Sequence, residues 1–248
     1  MIVLKSPVEI EMMREAGRVT AVTLRLVGEA VRPGITTREL DQIAEEYIRS
    51  QHGKPAFLGY NGFPATLCTS INEQVVHGIP GKRVLREGDI LSVDCGAVID
   101  GFYGDSAMTF PVGHVSGVAR SLMEATRRSL EAGIAKMRPG MRLYDIGAAV
   151  QQVAEAAGFS VVREYVGHGI GRAMHEDPQV PNFGQPGKGV QLKPGMVLAV
   201  EPMVNAGGYA VRSLDDGWTV VTADGAMSAH FEHSVAITEE GPLILTVE

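Results

Sequence analysis

Leu85-Arg-Glu-Gly-Asp-Ile-Leu-Ser-Val-Asp94 is written twice in this chain. Leu192-Lys-Pro-Gly-Met-Val-Leu-Ala-Val-Glu201 repeats it position for position, 107 residues later. Leu, Gly, Leu and Val recur unchanged, Arg becomes Lys, Ile becomes Val, and Asp94 becomes Glu201. Each copy reads as a glycine turn followed by a short apolar strand that ends on a carboxylate. Burying a carboxylate is costly unless something positive meets it. Two such strands suggest two halves of one site, with a bound cation as their common partner.

The repeat extends outward from these strands. Ser6-Pro-Val-Glu9 is a capping box with proline at the first helical position, and it opens a helix that runs to about Val31. Thr36-Thr-Arg-Glu39 caps a second helix with Leu40, Ile43, Ala44, Tyr47 and Ile48 on one face, closed by His52-Gly53. Strand patterns follow at 66–77, 89–98 and 102–112. The order then restarts, with helices at about 116–137 and 142–157. Strands follow near 160–166, 196–203, 210–214, 218–222, 230–238 and 242–247. Arg32-Pro-Gly34 and Arg138-Pro-Gly140 mark matching turns. Two copies of helix, helix, strands predict an α+β fold: a pseudo-twofold, largely antiparallel sheet covered by two pairs of helices. One domain over 1–248 is expected, with halves of about 1–112 and 113–248.

Of the 248 residues, 45% are apolar and 21% charged, as in an ordinary globular protein. A net charge of −7 argues against a nucleic-acid footprint or a basic membrane patch. No run approaches transmembrane length, and the amino terminus lacks a signal-peptide core. The two cysteines, Cys68 and Cys95, form no metal-type pair and suit a reducing compartment, so a cytoplasmic protein is expected, with a monomer as the default state.

Asp94 and Asp105 flank a predicted hairpin turning at Asp100-Gly101, a favoured two-residue turn. In that register Asp94 faces Ala107 and Asp105 faces Gly96. The two aspartates are then diagonal neighbours on one face, about 7–8 Å apart at their origins. Glu201 and Glu232 are their counterparts in the second half. Tyr165-Val-Gly-His-Gly-Ile-Gly-Arg-Ala-Met-His-Glu-Asp-Pro178 surrounds His168 with glycines, which lets backbone approach a ligand closely. Four carboxylates and an imidazole suit Mn²⁺, Fe²⁺ or Co²⁺ better than a structural zinc. Their charge balances two divalent ions about 3.5–4 Å apart, an arrangement that activates water and polarises a carbonyl. His77 and His175 remain as candidate contacts to a substrate or a developing oxyanion. His52, His114, His230 and His233 receive no role.

Asp94, Asp105, His168, Glu201 and Glu232, in this order and spacing, resemble the five metal ligands of type I methionine aminopeptidases. Ser-Ile-Asn-Glu…His-Gly-Ile-Pro, Asp-Gly-Phe-x-Gly-Asp, Gly-His-Gly-Ile-Gly, His-Glu-x-Pro and Phe-Glu-His carry the resemblance across essentially the whole chain. It implies the pita-bread fold and removal of the amino-terminal methionine of nascent polypeptides that have a small second residue. In that reaction a water or hydroxide bridging two ions (Co, Mn, Fe or Zn) attacks the scissile carbonyl. His168 and Glu201 would bind one ion, Asp94 would chelate the other and orient the α-amine, and Asp105 and Glu232 would bridge both. His77 and His175 would contact the scissile peptide, and Glu201 would move the proton. Phe57, Tyr60, Phe63, Cys68, Met174 and Trp218 would line the methionine pocket, with Phe57 and Met174 better read as core packing. Asn72 and Ser228 match backbone positions that hold a monovalent cation in relatives, and transient ribosome contact is a further expectation. Met174 stands where phenylalanine is expected, Phe63 where tyrosine is frequent, and His230 where glutamine is expected. The chain resembles the short bacterial form.

Competing readings are an X-Pro aminopeptidase or prolidase, which usually carries an extra amino-terminal domain, and a creatinase-like enzyme, which dispenses with the ligands. A non-enzymatic binding module would have lost at least one of the five.

Overall fold

Ser6 and Thr36 set the first two helices. Each hydroxyl accepts the N–H of a glutamate three residues on, and that glutamate accepts the cap's own N–H. This reciprocal pair satisfies two of the orphan donors at a helix start. In the computed structural model, which describes residues 1–248, α1 spans Pro7–Ala30 and α2 Thr37–Ser50. In the second half α3 spans Gly117–Ile134 and α4 Leu143–Ala156. One helix end differs from expectation. After α2 the left-handed residue is His52 (φ 58°), not Gly53. Gly53 is needed for space instead, since a Cβ there would lie 2.7 Å from Ile99 Cδ1.

The first half contributes strands β1 (Lys54–Pro55), β2 (Leu67–Ile71), β3 (Gln74–Val76), β4 (Ile90–Ile99) and β5 (Phe102–Pro111). The second contributes β6 (Ser160–Val161), β7 (Gly167–Gly169), β8 (Glu176–Val180), β9 (Val197–Val200) and β10 (Met203–Asn205). It continues with β11 (Val211–Ser213), β12 (Val220–Thr222), β13 (Ser228–His230), β14 (His233–Thr238) and β15 (Gly241–Ile244). The fold is α+β, with antiparallel pairing in four sheets. β4 carries β5 on one edge and both β1 and β2 on the other; a second sheet runs β15-β14-β9-β7-β8. Two three-stranded sheets, β13-β10-β6 and β11-β12-β3, complete the set.

The duplication is visible in individual bonds. Gly34 N–H donates to the Leu85 carbonyl at 2.9 Å, and Gly140 N–H donates to the Leu192 carbonyl at 3.1 Å. Leu85 N–H returns to Ile35 and Leu192 N–H to Met141, both at 2.8 Å. The repeat's glycines, Gly88 (φ 91°) and Gly195 (φ 89°), adopt the same left-handed turn. In each half the helix pair buries an apolar stripe on its own strands. Leu24, Val27, Leu40 and Ile48 pack with Leu67, Leu91 and Val93, while Leu130, Ile134, Leu143 and Ile146 pack with Leu198, Val200 and Val235.

The halves meet along β5. Glu232 N–H donates to the Ala107 carbonyl (2.9 Å), Ser106 Oγ to the Glu232 carbonyl (2.6 Å), and Thr109 Oγ1 to the His230 carbonyl (2.9 Å). Ser234 Oγ donates to the Asp105 carbonyl at 2.8 Å. Hydroxyls thus replace part of a ladder where the second chain segment breaks at Phe231-Glu232, between β13 and β14.

The hairpin register is as expected: Asp94 pairs with Ala107 and Gly96 with Asp105, and Asp100 (φ 48°) and Gly101 (φ 80°) form the turn. Two strand expectations change. β4 runs through Asp94 to Ile99, in keeping with the strand pattern at 89–98 rather than with a strand end at Asp94, and residues 162–166 are not strand. Gly167–Gly169, expected as a turn, is instead a strand paired on both edges. Its glycines serve neighbouring backbone rather than a ligand: a Cβ on Gly167 would lie 2.2 Å from the Ala199 oxygen, and one on Gly169 2.2 Å from the Asp177 oxygen. Gly167→Ala is therefore expected to lower stability by about 1–3 kcal/mol or more, as overpacking against backbone does. An unchanged urea midpoint would contradict this close approach.

Candidate metal centre and active site

The two large sheets deliver five side chains to one place. Asp94 comes from the middle of β4 and Asp105 from its diagonal position on β5. His168 is the centre of β7, opposite Ala199, and Glu201 is the first residue past β9. Glu232 occupies the break between β13 and β14, turned inward because its N–H joins β5. His168 Nε2 lies 3.5 Å from Glu201 Oε1 and 3.7 Å from Asp105 Oδ2. The ligand atoms of Asp105, His168 and Glu232 all lie within 4.8 Å of one another. All five residues border one cavity of about 220 Å³.

Electrostatically this cluster is unbalanced. Burial, reinforced by mutual repulsion, pushes the carboxyls of Asp94, Glu201 and Glu232 well above the usual range. Burial also raises Asp105, to about 7; hydrogen bonds from the Asp94 carboxyl and the Ser106 N–H hold it back. No lysine or arginine borders the cavity. Asp94 Oδ1, Asp105 Oδ1 and Glu232 Oε1 are buried with no hydrogen-bond partner. Burial lowers His168 to about 4, so its ring is neutral. Its Nδ1 is 2.8 Å from the Gly169 carbonyl oxygen, which can only accept, so the proton is on Nδ1 and the Nε2 lone pair faces the acids. Orphaned carboxylate oxygens and one imidazole lone pair converging in a buried spot fit a divalent ion.

The rest of the cavity wall is apolar. Phe57, Tyr60, Phe63, Cys68, Met174 and Trp218 all border it, as does Asn61, which sequence reasoning passed over. Phe57 and Met174, expected as core packing, are buried and face this cavity as well. Phe63 and Trp218 meet edge to face at 5.0 Å. Cys68 is the cross-strand partner of Asp94, so the apolar wall begins beside that carboxylate. His77 and His175 stand at the same cavity, His77 with a left-handed backbone (φ 60°) and burial lowering its ring to about 4. Tyr60 Oη lies 2.7 Å from His175 Nδ1, and the His168 and His175 rings are 4.3 Å apart.

Residues 11–239 match the model of metallopeptidase family M24. The chain belongs to metallopeptidase family M24. Among M24 relatives it is 57% identical to the methionine aminopeptidase of Clostridium perfringens, covering 100% of this chain and 99% of that protein. It is 56% identical to methionine aminopeptidase 1 of Bacillus subtilis, covering 99% of each. The crystal structure of the Thermotoga maritima methionine aminopeptidase superposes with a TM-score of 0.99 at 49% identity, covering 100% of both chains. The architecture is the pita-bread fold. No helix is long and apolar enough to cross a membrane.

His230, given no role from sequence, is the clearest omission in this M24 site. It is 1% exposed, its Nε2 has no hydrogen-bond partner, and that atom lies 3.8 Å from Glu201 Oε2. The available signal was its position two residues before Glu232 in an otherwise apolar segment. Asn182 also went unnoticed; its Nδ2 donates to the Glu201 carbonyl at 3.1 Å. Asn72 and Ser228 are brought together, Ser228 N–H donating to the Asn72 carbonyl at 2.8 Å.

The raised Asp105 value fixes a sign. Between the ordinary aspartate value and about 7 the folded chain holds a proton that the unfolded chain has released, so metal-free stability falls as pH rises through that window. A divalent ion stabilises only as the carboxyls ionise. The gain in Tm from Mn²⁺ over a chelated sample is expected to be larger at about pH 7.5 than at about pH 5.5. A gain that grows toward acid would oppose the cluster as the binding site.

Proposed function

We propose that this chain removes the amino-terminal methionine from nascent polypeptides, preferring a small second residue, as a divalent-metal-dependent aminopeptidase. What supports this most is the junction of an apolar cavity with a buried carboxylate cluster, in a chain 57% identical over its whole length to a methionine aminopeptidase. In this reading 1–248 is a single catalytic domain, monomeric and cytoplasmic, with transient ribosome contact.

The residues divide the work. His168 and Glu201 would hold one ion and Asp94 a second, with Asp105 and Glu232 contributing a carboxylate to both. The ions are Co, Mn, Fe or Zn, with a monovalent cation near Asn72 and Ser228 as a further expectation. When bound, such ions polarise a carbonyl and lower the pKa of water. A methionine side chain fills the wall formed by Tyr60, Phe63, Cys68 and Trp218. Because Asp94 is the cross-strand neighbour of Cys68, the free α-amine of that residue comes to the Asp94 carboxylate. Such recognition selects a chain end over an internal peptide. His175 donates to the scissile carbonyl oxygen, where negative charge develops. His77 holds the peptide from the other side. Glu201 takes a proton from the attacking water and returns it to the leaving amine.

Release of free methionine from Met-Ala-Ser with added Mn²⁺ or Co²⁺ is expected, with none from an X-Pro peptide; the reverse would favour the prolidase reading. Metal retained without either cleavage would favour a binding module. Asp94→Asn should lose both metal, by elemental analysis, and turnover; an active, fully metallated variant would remove Asp94 from its role. His175→Ala should lower kcat by about 10²–10³-fold, as loss of an oxyanion donor does. Unchanged kcat would take His175 out of the mechanism.

A further inference from the structure

Tyr60 touches both the apolar wall and the polar machinery. It opens a tight turn, Tyr60–Gly62, in which Asn61 (φ 49°) and Gly62 (φ 86°) are left-handed, as is Gly59 (φ 84°) just before it. The turn is held by Tyr60 N–H to Phe57 O (2.9 Å), Gly59 N–H to Phe63 O (2.8 Å) and Phe63 N–H to Tyr60 O (2.9 Å). Its flanks, Phe57 and Phe63, are buried in the cavity wall. Its ring reaches across to His175, with centroids 5.4 Å apart, and its hydroxyl is 2.7 Å from Nδ1. That is the sole hydrogen bond of either side chain within the protein.

A neutral imidazole carries one N–H, and the partner of one nitrogen decides where it sits. If His175 is to donate from Nε2 to a carbonyl oxygen, Nδ1 must be bare and must accept a hydrogen bond. The tyrosine hydroxyl is the group in place to supply it. We propose that Tyr60 is a positioning residue: its O–H donates to His175 Nδ1, fixes the Nε2–H tautomer and aims that N–H at the substrate carbonyl. This rests on the reading of His175 as the carbonyl-oxygen donor.

A consequence follows for specificity. A methionine side chain in the cavity packs against the Tyr60 ring and the flanking phenylalanines, and so presses the hydroxyl onto His175. Filling the apolar wall then aligns the donor, and side-chain recognition appears in turnover rather than only in affinity.

The test uses Tyr60→Phe, which keeps the ring and removes the hydroxyl, in the full-length metal-loaded protein with unchanged Tm as a control on folding. On Met-Ala-Ser, kcat is expected to fall about 10–100-fold, part of the effect ascribed to His175 itself, with KM within about threefold. In a His175→Ala background, Tyr60→Phe should cost nothing further. In the Zn²⁺-loaded protein, ¹⁵N NMR should report the Nε2–H tautomer of His175 in the wild type and a shift toward Nδ1–H in Tyr60→Phe. An unchanged kcat, additive losses in the double variant, or an Nδ1–H tautomer in the wild type would each overturn the proposal. If His175→Ala keeps full activity, the donor role itself falls; if it loses activity while Tyr60→Phe does not, only the positioning role falls.

Discussion

Four carboxyl groups held out of water around one neutral imidazole repel one another, and much of the molecule is arranged to keep them there. Each comes from a segment whose neighbours are rigidly paired: the centre of β4, its antiparallel partner β5, the end of β9, and a break between β13 and β14 that is tied to β5 by its own backbone N–H. No cation of the protein neutralises them, and burial drives their protons on rather than off. Such a site is costly to fold unless a cation meets the acids, so the cluster is suited to a divalent ion. The position of His168 Nε2 follows the same logic. Its opposite nitrogen is committed to the Gly169 carbonyl, which leaves one lone pair directed at the acids.

The same constraint gives the site its polarity. Ligands from the two halves meet at a seam made by Ser106, Thr109 and Ser234, so the seam faces acids while the flanking cavity faces aromatic rings. Cys68 and Asp94 sit across from one another at the boundary between these environments. An apolar side chain and the amine on its own α-carbon can therefore be satisfied at once only at the start of a polypeptide. In the proposed reading, selection of a chain end depends on where this boundary lies as well as on the carboxylate cluster.

The glycines around His168 bring it to the carboxylate cluster for a reason other than the one the sequence suggests. The segment drew attention because glycines permit close approach, and His168 does reach the cluster. Yet Gly167 and Gly169 make room for the carbonyls of Ala199 and Asp177, because β7 is squeezed between β9 and β8. A three-residue strand of Gly-His-Gly has neither a period nor β-favouring side chains, so only its neighbours make it a strand. His230 received no role for a related reason. Its proximity to Glu201 depends on the chain breaking after it, and nothing local in Phe231-Glu232 announces that break.

What the sequence by itself determined is the part controlled by short-range chemistry. Capping boxes at Ser6 and Thr36, glycine turns in both copies of the repeat, and the Asp100-Gly101 hairpin each act within a few residues, so the helices and the Asp94–Asp105 register could be read directly. The doubled stretch carrying Asp94 and Glu201 points to a paired site from the sequence alone. Tertiary structure alone decided the rest: that Gly167–Gly169 is a strand, that His230 lies beside Glu201, and that Tyr60 meets His175 from 115 residues away. Those outcomes depend on which surfaces the two halves bury against each other, and burial is a property of the assembled chain that no local pattern encodes.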